Sequence, residues 1–467
     1  MRITFHGAAK TVTGSKHHVA LDSGYNFLLD CGLFQGMGQQ TIALNRHFGF
    51  SPMEIQAVVL SHAHIDHCGL LPRLVKEGFN GKIYCTEATA DLLEVMLYDS
   101  AHIQEADARF VNKKRGKKGE ARIEPLYDAD DVSATLKRVH AVDYDAEVRL
   151  NKDVLLNFSN TGHILGSAAC NFVLNDNGLR IKLCFTGDIG RYGSPLLQDP
   201  HTFPQADIII CESTYGNRLH RRLEEAAQEI MDAMIEICGK RKGKLIIPAF
   251  SLGRIQEVVY TINSMDLYGL LPDVPIFVDS PLAIDATAIV EKYTSELNDD
   301  VLQFTETGRK AAFRFEDLVY VRDKGMSQQL NDYQGPCVII SSSGMAEAGR
   351  VKHHLYHSLA NEANGVLLVG YAHPLSLAGK LKAGAEKVRI FGDDISVNAT
   401  IYNVDAWSAH ADKDEIIEFL SCQDSQQVKK IFLVHGEPEA QQNLRRELMA
   451  RGYNDIVIPE HGESFYV

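Results

Sequence analysis

The chain has no run of eighteen apolar residues, no hydrophobic stretch behind its first methionine, and no two cysteines closer than fourteen positions. The first absence excludes a helix that crosses a bilayer. The second excludes a secretory signal, because MRITFHGAAKTVTG sets polar and charged groups where an apolar segment would be needed. A cytoplasmic protein with no membrane partner is expected. Nine cysteines, scattered and odd in number, argue against a disulfide framework and against a CxxC zinc ribbon. Most stand in apolar runs such as KLCF and IIICES and read as small buried hydrophobes. Positive charge is also scarce, since 47 Lys and Arg against 61 Asp and Glu leave a formal charge of −14. Bulk attraction to a polyanion is therefore missing, and a phosphate ligand would have to be held by a local basic groove or by metal ions. The one low-complexity patch, KKRGKK at 113–118, reads as a solvated loop.

What is present is 467 residues of ordinary globular composition, 45% hydrophobic and 23% charged, enough for two domains or more. Short β-rich runs dominate the first half: RITF, HHVAL, NFLLD, AVVLSH, KIYC, VLLNFS, NFVL, RIKLCFTGD and DIIICES. Helical periodicity interrupts them near 89–111 and at 221–238, which predicts two sheets with helices outside. From about 243 the pattern becomes strand, Gly/Ser loop, helix, as in KLIIPAFSLGRIQEVVYTI and CVIISSSGMAEAGRVKHHLYHSLA, the grammar of α/β units in a more nearly parallel sheet. After about 395 the strand-rich composition returns with SVNATIYNV, KKIFLVHGE and DIVIPE. A composition that leaves and comes back predicts residues 211–394 inserted into one host domain formed by 1–210 and 395–467.

The chemistry begins at SHAHIDH, where His62, His64, Asp66 and His67 follow the apolar run AVVL. With 19 His in 467 residues, three at fixed offsets arise by chance with a probability of about 0.03, so the spacing is a signal before Asp66 is even required. Imidazole and carboxylate are the ligands of zinc. His62 and His64 are two apart and point the same way from an extended segment, while a turn into a helix would swing Asp66 and His67 toward a second point. Four donors cannot complete two coordination spheres. The missing ones stand after other strand-like runs: His163 in TGHILGS, Asp188 in FTGDIG and His435 in LVHGE. Alone, each reads as structural; together they converge.

These segments, with LDCGLFQG carrying Asp30, ESTYG carrying Glu212 and WSAHAD carrying His410, resemble the metallo-β-lactamase fold in its β-CASP nuclease branch, in order and almost end to end. The resemblance implies an α/β protein: a metallo-β-lactamase αββα sandwich with an inserted α/β β-CASP domain that caps it. It implies two zinc ions, or another divalent metal, one on His62, His64, His163 and Asp188 and one on Asp66, His67, Asp188 and His435, with Asp188 bridging. Asp30 would orient a histidine ligand or the water; the bland alternative is a turn residue beside Gly32. Within the branch the chain resembles bacterial and archaeal relatives of the cleavage subunit of the mRNA 3′-end processing machinery, without a KH-type extension. Like the members acting on RNA, it has histidine at position 435.

The implied function is a ribonuclease with a two-metal hydroxide mechanism, cutting single-stranded RNA regions and leaving 5′-phosphate and 3′-hydroxyl ends. His410, held by Glu212, would be the general acid. Two strand–loop–helix turns are candidates for the backbone phosphates: Ser251, Gly253 and Arg254 in the first, and Ser342, Ser343, Gly344 and Arg350 in the second. Ala348 stands where many relatives have Gly, which bears on the geometry of that second loop. Trp407, His353, His354 and His357 read as packing or surface residues. A thioesterase or glyoxalase-II-like hydrolase on the same host fold would account for HAHIDH, His163 and Asp188 but leaves the insertion idle, and a non-catalytic RNA-binding subunit would not need a full ligand set. A homo-oligomer stays open.

Overall fold

The structure, a computed structural model, describes residues 1–36, 38, 40–117, 120–267, 269–306, 311–370, 372–404 and 407–467. It divides into two compact units, one of Met1–Tyr192, Asp199–Leu219 and His410–Val467, the other of Gly193–Gln198 and His220–Ala409.

The first unit holds two seven-stranded sheets. One runs Ser464–Tyr466, Arg2–Phe5, His17–Ala20, Asn26–Leu29, Ala57–Val59, Lys82–Thr86, Val139–Val142; the other runs Ile456–Val457, Lys430–Val434, Ile208–Glu212, Leu179–Phe185, Ala168–Asp176, Val154–Asn160, Val148–Asn151. Strand periodicity explains the layering. Phe27, Leu29, Ala57 and Val59 point one way, into a core shared with Phe158, Phe172, Phe185, Ile210 and Phe432 of the second sheet. Their neighbours Leu28, Val58 and Leu60 point the other way, onto the helices that carry Leu71, Leu74, Leu93 and Leu97. On the far face of the second sheet, Ile209, Cys211, Ile431 and Leu433 pack on Ile416, Phe419, Leu444 and Leu448. Both faces of these strands are buried, so they read as continuous apolar runs rather than alternating ones. The layers are helix, sheet, sheet, helix, the metallo-β-lactamase sandwich that the sequence predicts.

The second unit is built on six parallel-paired strands in the order Leu318–Tyr320, Ile276–Asp279, Cys337–Ser341, Lys244–Pro248, Gly365–Leu368, Thr400–Asn403, with a separate hairpin of Lys387–Ile390 and Asp393–Ser396. The strand–loop–helix grammar is met at Lys244–Pro248 followed by Arg254–Leu267, and at Cys337–Ser341 followed by Val351–Ser358.

Three sequence expectations differ from the structure. SVNATIYNV, read as the return to the host domain, supplies Thr400–Asn403 to the second unit's sheet, where it pairs with Gly365–Leu368, so that unit continues to Ala409 rather than ending at 394. At the other boundary the division falls after Leu219, because Glu212 closes a host strand and the turn behind it bridges from Tyr215 to Asp412 of the same unit. KKRGKK is not a loop up to its glycine: Lys and Arg are good helix formers, and residues 113–116 continue the helix Glu87–Gly116; Lys118 lies outside the described residues. The helix read at 221–238 is Leu223–Met234 continued by wider π-helical turns, Ile235–Lys240. All nine cysteines are unpaired, and eight are buried. Among the described residues no helix is long and apolar enough to cross a membrane.

Candidate metal centre

The chemistry-bearing residues of the first unit stand at the C-terminal ends of its strands. Asp30 follows Asn26–Leu29, His62 follows Ala57–Val59, His163 follows Val154–Asn160, Asp188 follows Leu179–Phe185, Glu212 ends Ile208–Glu212, and His435 follows Lys430–Val434. Parallel pairing sets several of these ends on a common edge: Leu29 lies opposite Val59, Phe185 opposite Ile210, and Glu212 opposite Val434. Two glycines let the loops touch. A Cβ on Gly32 would lie 1.6 Å from the Asp66 carbonyl oxygen, and one on Gly190 would lie 2.1 Å from that of Gly162, so only glycine brings the Asp30 loop onto the Asp66 turn and the Asp188 loop onto the His163 turn.

The result is two groups of donor atoms around one carboxylate. His62 Nε2 and His64 Nδ1 are 3.1 Å apart, His163 Nε2 and His64 Nδ1 3.2 Å, and Asp188 Oδ2 is 3.5 Å from both His62 Nε2 and His163 Nε2. In the second group His67 Nε2 lies 3.3 Å from His435 Nε2, and Asp66 Oδ2 lies 3.4 Å from His435 Nε2 and 3.9 Å from His67 Nε2. Asp188 Oδ2 belongs here too, 3.3 Å from His67 Nε2. Donors at 2.0–2.1 Å from a tetrahedral ion stand roughly 3.3 Å apart. The spacing therefore fits metal ions.

The electrostatics agree. Four buried or half-buried carboxylates, Asp30, Asp66, Asp188 and Glu212, form ion pairs only with histidines among the described residues. Among the described residues buried Asp188 Oδ1 accepts no hydrogen bond, and His435 Nδ1 is 3.5 Å from it. Burial, and then the neighbouring imidazoles, push His62 well below its ordinary pKa, and burial lowers His64 to about 4, so both favour the neutral ring, which has one lone pair to offer. A metal ligand must be in that state. Burial opposes charge on His67 as well, yet Asp188, Asp30 and Asp66 raise it well above its ordinary value. Asp188 and Asp66, despite burial, are held ionised by the surrounding histidines, Asp66 at about 2. A site with this excess of negative charge calls for cations.

The residues behind the donors are fixed as tightly. Asp30 is fully buried and accepts from Ser61 N at 2.8 Å, Ser61 Oγ and Ser15 Oγ at 3.0 Å, and His67 Nδ1 at 2.6 Å. Its shortest contact is with the ring of His67, the contact an orienting role requires. Glu212, also fully buried, accepts from Ile189 N and Thr214 Oγ1, each at 2.5 Å, and faces His410 Nδ1 at 3.2 Å. Burial opposes charge on His410, but Glu212 and then Asp188 raise its pKa to about 9. Ser15, Ser61 and Thr214 were not picked out from the sequence. Ser61 and Thr214 flank residues that were, but a hydroxyl beside a ligand carries no sequence signal of its own.

The phosphate-loop candidates belong to the second unit. Ser251 Oγ lies 3.1 Å from Ser280 Oγ, which lies 3.0 Å from Ser342 Oγ, so the two loops meet through Ser280, which carries no sequence signal of its own. Gly253 has φ +80°, a conformation that favours glycine at the helix start. Ser343 N donates to the Ala348 carbonyl at 3.2 Å, and Phe250 closes against Gly344. Left-handed backbone in this loop falls at Ala346 and Gly349, not at Ala348, so alanine there is unstrained. The two arginines are already engaged. Arg254 is 7% exposed, pairs with Glu257 and lies 5.5 Å over the Trp407 ring. Arg350 donates to Asp279 at 2.6 Å and to the carbonyls of Val321 and Arg322. Trp407 and His354 are buried, as packing residues would be, while His353 and His357 are exposed.

Comparison with known proteins bears on the whole chain. A model of the metallo-beta-lactamase superfamily matches residues 18–228, one of the Beta-Casp domain matches 255–381, and one described as a Zn-dependent metallo-hydrolase RNA specificity domain matches 394–459. A protein named Ribonuclease TTHA0252 from Thermus thermophilus is 34% identical over 465 residues, 99% of each chain. Transcription termination factor FttA from Methanocaldococcus jannaschii is 30% identical over 448 residues, 94% of this chain and 67% of that one. A crystal structure of a protein of unknown function from Enterococcus faecalis V583 shares the fold, with a TM-score of 0.56 at 13% identity over 99% of each chain. The chain belongs to the β-CASP branch of the metallo-β-lactamase superfamily, a group of metal-dependent hydrolases.

Proposed function

We propose that the protein is a zinc-dependent ribonuclease that hydrolyses phosphodiester bonds in single-stranded RNA and leaves 5′-phosphate and 3′-hydroxyl ends. The observation that carries the reading is the placement of one carboxylate oxygen, Asp188 Oδ2, 3.3–3.5 Å from His62, His163 and His67, between two donor groups. His62, His64, His163 and Asp188 would hold one ion, and Asp66, His67, Asp188 and His435 the other. Two divalent ions there supply Lewis acidity toward a phosphodiester and a nucleophile at neutral pH. The chain's own residues do the rest. Asp30 keeps the proton of His67 on Nδ1, which leaves Nε2 as the donor. Glu212 holds His410 through Nδ1, so Nε2 carries the proton that the departing sugar oxygen requires.

RNA as the substrate is supported by the RNA specificity domain match and by a relative named as a ribonuclease. In the second unit, Ser251, Gly253, Ser342, Ser343 and Gly344 are proposed to contact backbone phosphates through hydroxyls and helix-start N–H groups. Arg254 would join them only by exchanging Glu257 for a phosphate.

The experiment is elemental analysis of the purified protein together with digestion of end-labelled RNA and DNA, the product ends being mapped. Two zinc equivalents and RNA products with 5′-phosphates are expected. Intact RNA at full metal loading would reject the reading.

A further inference from the structure

Thr214 sits between the second donor group and the proton donor, with no task in the chemistry so far. Its Oγ1 is 2.5 Å from Glu212 Oε2, 3.1 Å from His435 Nδ1 and 3.0 Å from the His435 carbonyl oxygen. A hydroxyl has one proton and two lone pairs, whereas an ionised carboxylate only accepts. Were the proton directed at His435, its lone pairs would face a carboxylate oxygen at 2.5 Å. The shortest contact, within the range of a charge-assisted O–H to carboxylate bond, therefore takes the proton to Glu212.

That choice decides the tautomer of His435. The remaining lone pairs of Thr214 Oγ1 face His435 Nδ1, which must then be the protonated nitrogen. His435 Nε2 is left with its lone pair directed at the second donor group, 3.3 Å from His67 Nε2 and 3.4 Å from Asp66 Oδ2. The hydrogen bonds run one way: His435 Nδ1–H to Thr214, Thr214 O–H to Glu212, and His410 Nδ1–H to the same Glu212 oxygen at 3.2 Å. Glu212 is fully buried and His435 is 3% exposed, while Thr214 between them is half-buried. His67 has a carboxylate, Asp30, behind its outer nitrogen; His435 has this hydroxyl.

We propose that Thr214 is a positioning residue that fixes the metal-binding tautomer of His435 and, through the same oxygen, the orientation of Glu212. Retention of the second ion and alignment of His410 then depend on one side chain. The proposal rests on the two-ion nuclease reading above.

The test compares T214V, which keeps the branched shape and loses the hydroxyl, with T214S, which keeps the hydroxyl. Metal-free protein is titrated with zinc against a chromophoric chelator, and circular dichroism checks the fold. Loss of a partner behind a ligand weakens metal binding by about 10–100-fold, so T214V should bind the second ion that much more weakly with the first nearly unchanged, and T214S should match wild type. At zinc concentrations that reload the second site, T214V should still turn over RNA more slowly, because Glu212 has lost a donor. Wild-type affinity for the second ion in folded T214V overturns the tautomer assignment, and full turnover on reloading overturns the link to Glu212. Where T214V does not fold, T214A replaces it under the same criteria. Failure of the nuclease reading looks different, since wild type itself would then hold fewer than two ions or leave RNA uncut.

Discussion

Replacing Asp30 by Asn changes one atom, and the structure says which way the new amide must turn. All four groups around Asp30 donate: Ser61 N to Oδ1, and Ser61 Oγ, Ser15 Oγ and His67 Nδ1 to Oδ2. An amide has one accepting oxygen and one donating NH2. The Ser61 N–H cannot reverse, whereas the two hydroxyls can rotate and an imidazole can change tautomer. The amide oxygen of D30N will therefore face Ser61 N, and its NH2 will face His67 Nδ1, forcing the His67 proton onto Nε2. That nitrogen points at Asp66, Asp188 and His435, so the ligand position becomes a donor. Recovering the binding tautomer means turning the amide back and burying an NH2 against Ser61 N–H, an unsatisfied pair that costs about 1–3 kcal/mol. The second ion should bind about 5–150-fold more weakly, with the first much less affected. Zinc titration of the metal-free variant against a competing chelator measures this directly, and RNA turnover at subsaturating zinc should fall in parallel. A D30N protein that binds both ions within twofold of wild type would refute the reasoning, because it would show that His67 does not take its tautomer from Asp30.

His435→Ala removes a donor of the second group and should reduce RNA turnover by orders of magnitude while the far-ultraviolet circular dichroism stays native; unchanged activity with two zinc ions bound would remove His435 from the ligand set. His410→Ala should leave zinc stoichiometry intact and slow cleavage, and loss of an ion instead would make His410 a ligand. The second unit gives an acid-stability prediction. Asp279 is buried, which opposes its charge, yet hydrogen bonds from His354, Ser327 and Arg350 lower its pKa. A carboxyl depressed by folding stabilises above its unfolded value, near pH 4, and loses that contribution as pH falls toward its folded value. Asp279→Asn should lower the melting temperature at pH 7 and approach wild type below pH 4; a constant difference across that range would contradict the assignment.

The cluster of candidate metal donors was legible because its densest part is local. Four donors in SHAHIDH stand out above chance, and an extended segment followed by a helix start is enough to split them between two points, as His62/His64 and Asp66/His67 are split. His163, Asp188 and His435 were legible only by their shared position after apolar runs; the strands before Asp188 and His435 each pair in parallel with Ile208–Glu212, which brings those two ends to a common edge. Thr214, Ser61 and Ser15 were not, because a hydroxyl acts by direction, and direction is fixed by contacts distant in sequence, 15 and 31 residues for Ser15 and Ser61 with Asp30 and 221 for Thr214 with His435. Arg254 shows the opposite limit: its place at a helix start suggested an anion contact, but Glu257 one turn on and Trp407 from a distant segment had already claimed it. The boundary near 395 failed for a related reason. Thr400–Asn403 reads as a strand in either unit, and only its parallel register with Gly365–Leu368 decides which sheet receives it.

Two residues of the site leave their strands through an unusual backbone conformation. Asp30 and His435 both adopt left-handed backbone, φ +59° and +47°, immediately after their strands. For most residues other than glycine that conformation costs about 1–2 kcal/mol, and Asp and His tolerate it better than most. A residue continuing either strand would place its side chain in the alternation of the sheet, toward one core or the other. The left-handed residue instead ends the strand and turns its side chain along the edge where His67 and Asp66 wait. Surrounding hydrogen bonds hold each in place: Asp30 N donates to the Val59 carbonyl at 3.0 Å, and His435 N donates to the Ala8 carbonyl at 2.7 Å while its own carbonyl accepts from Ser213 N. Glycine at either position would relax the backbone and abolish the side chain, so local stability and site chemistry make opposite demands there.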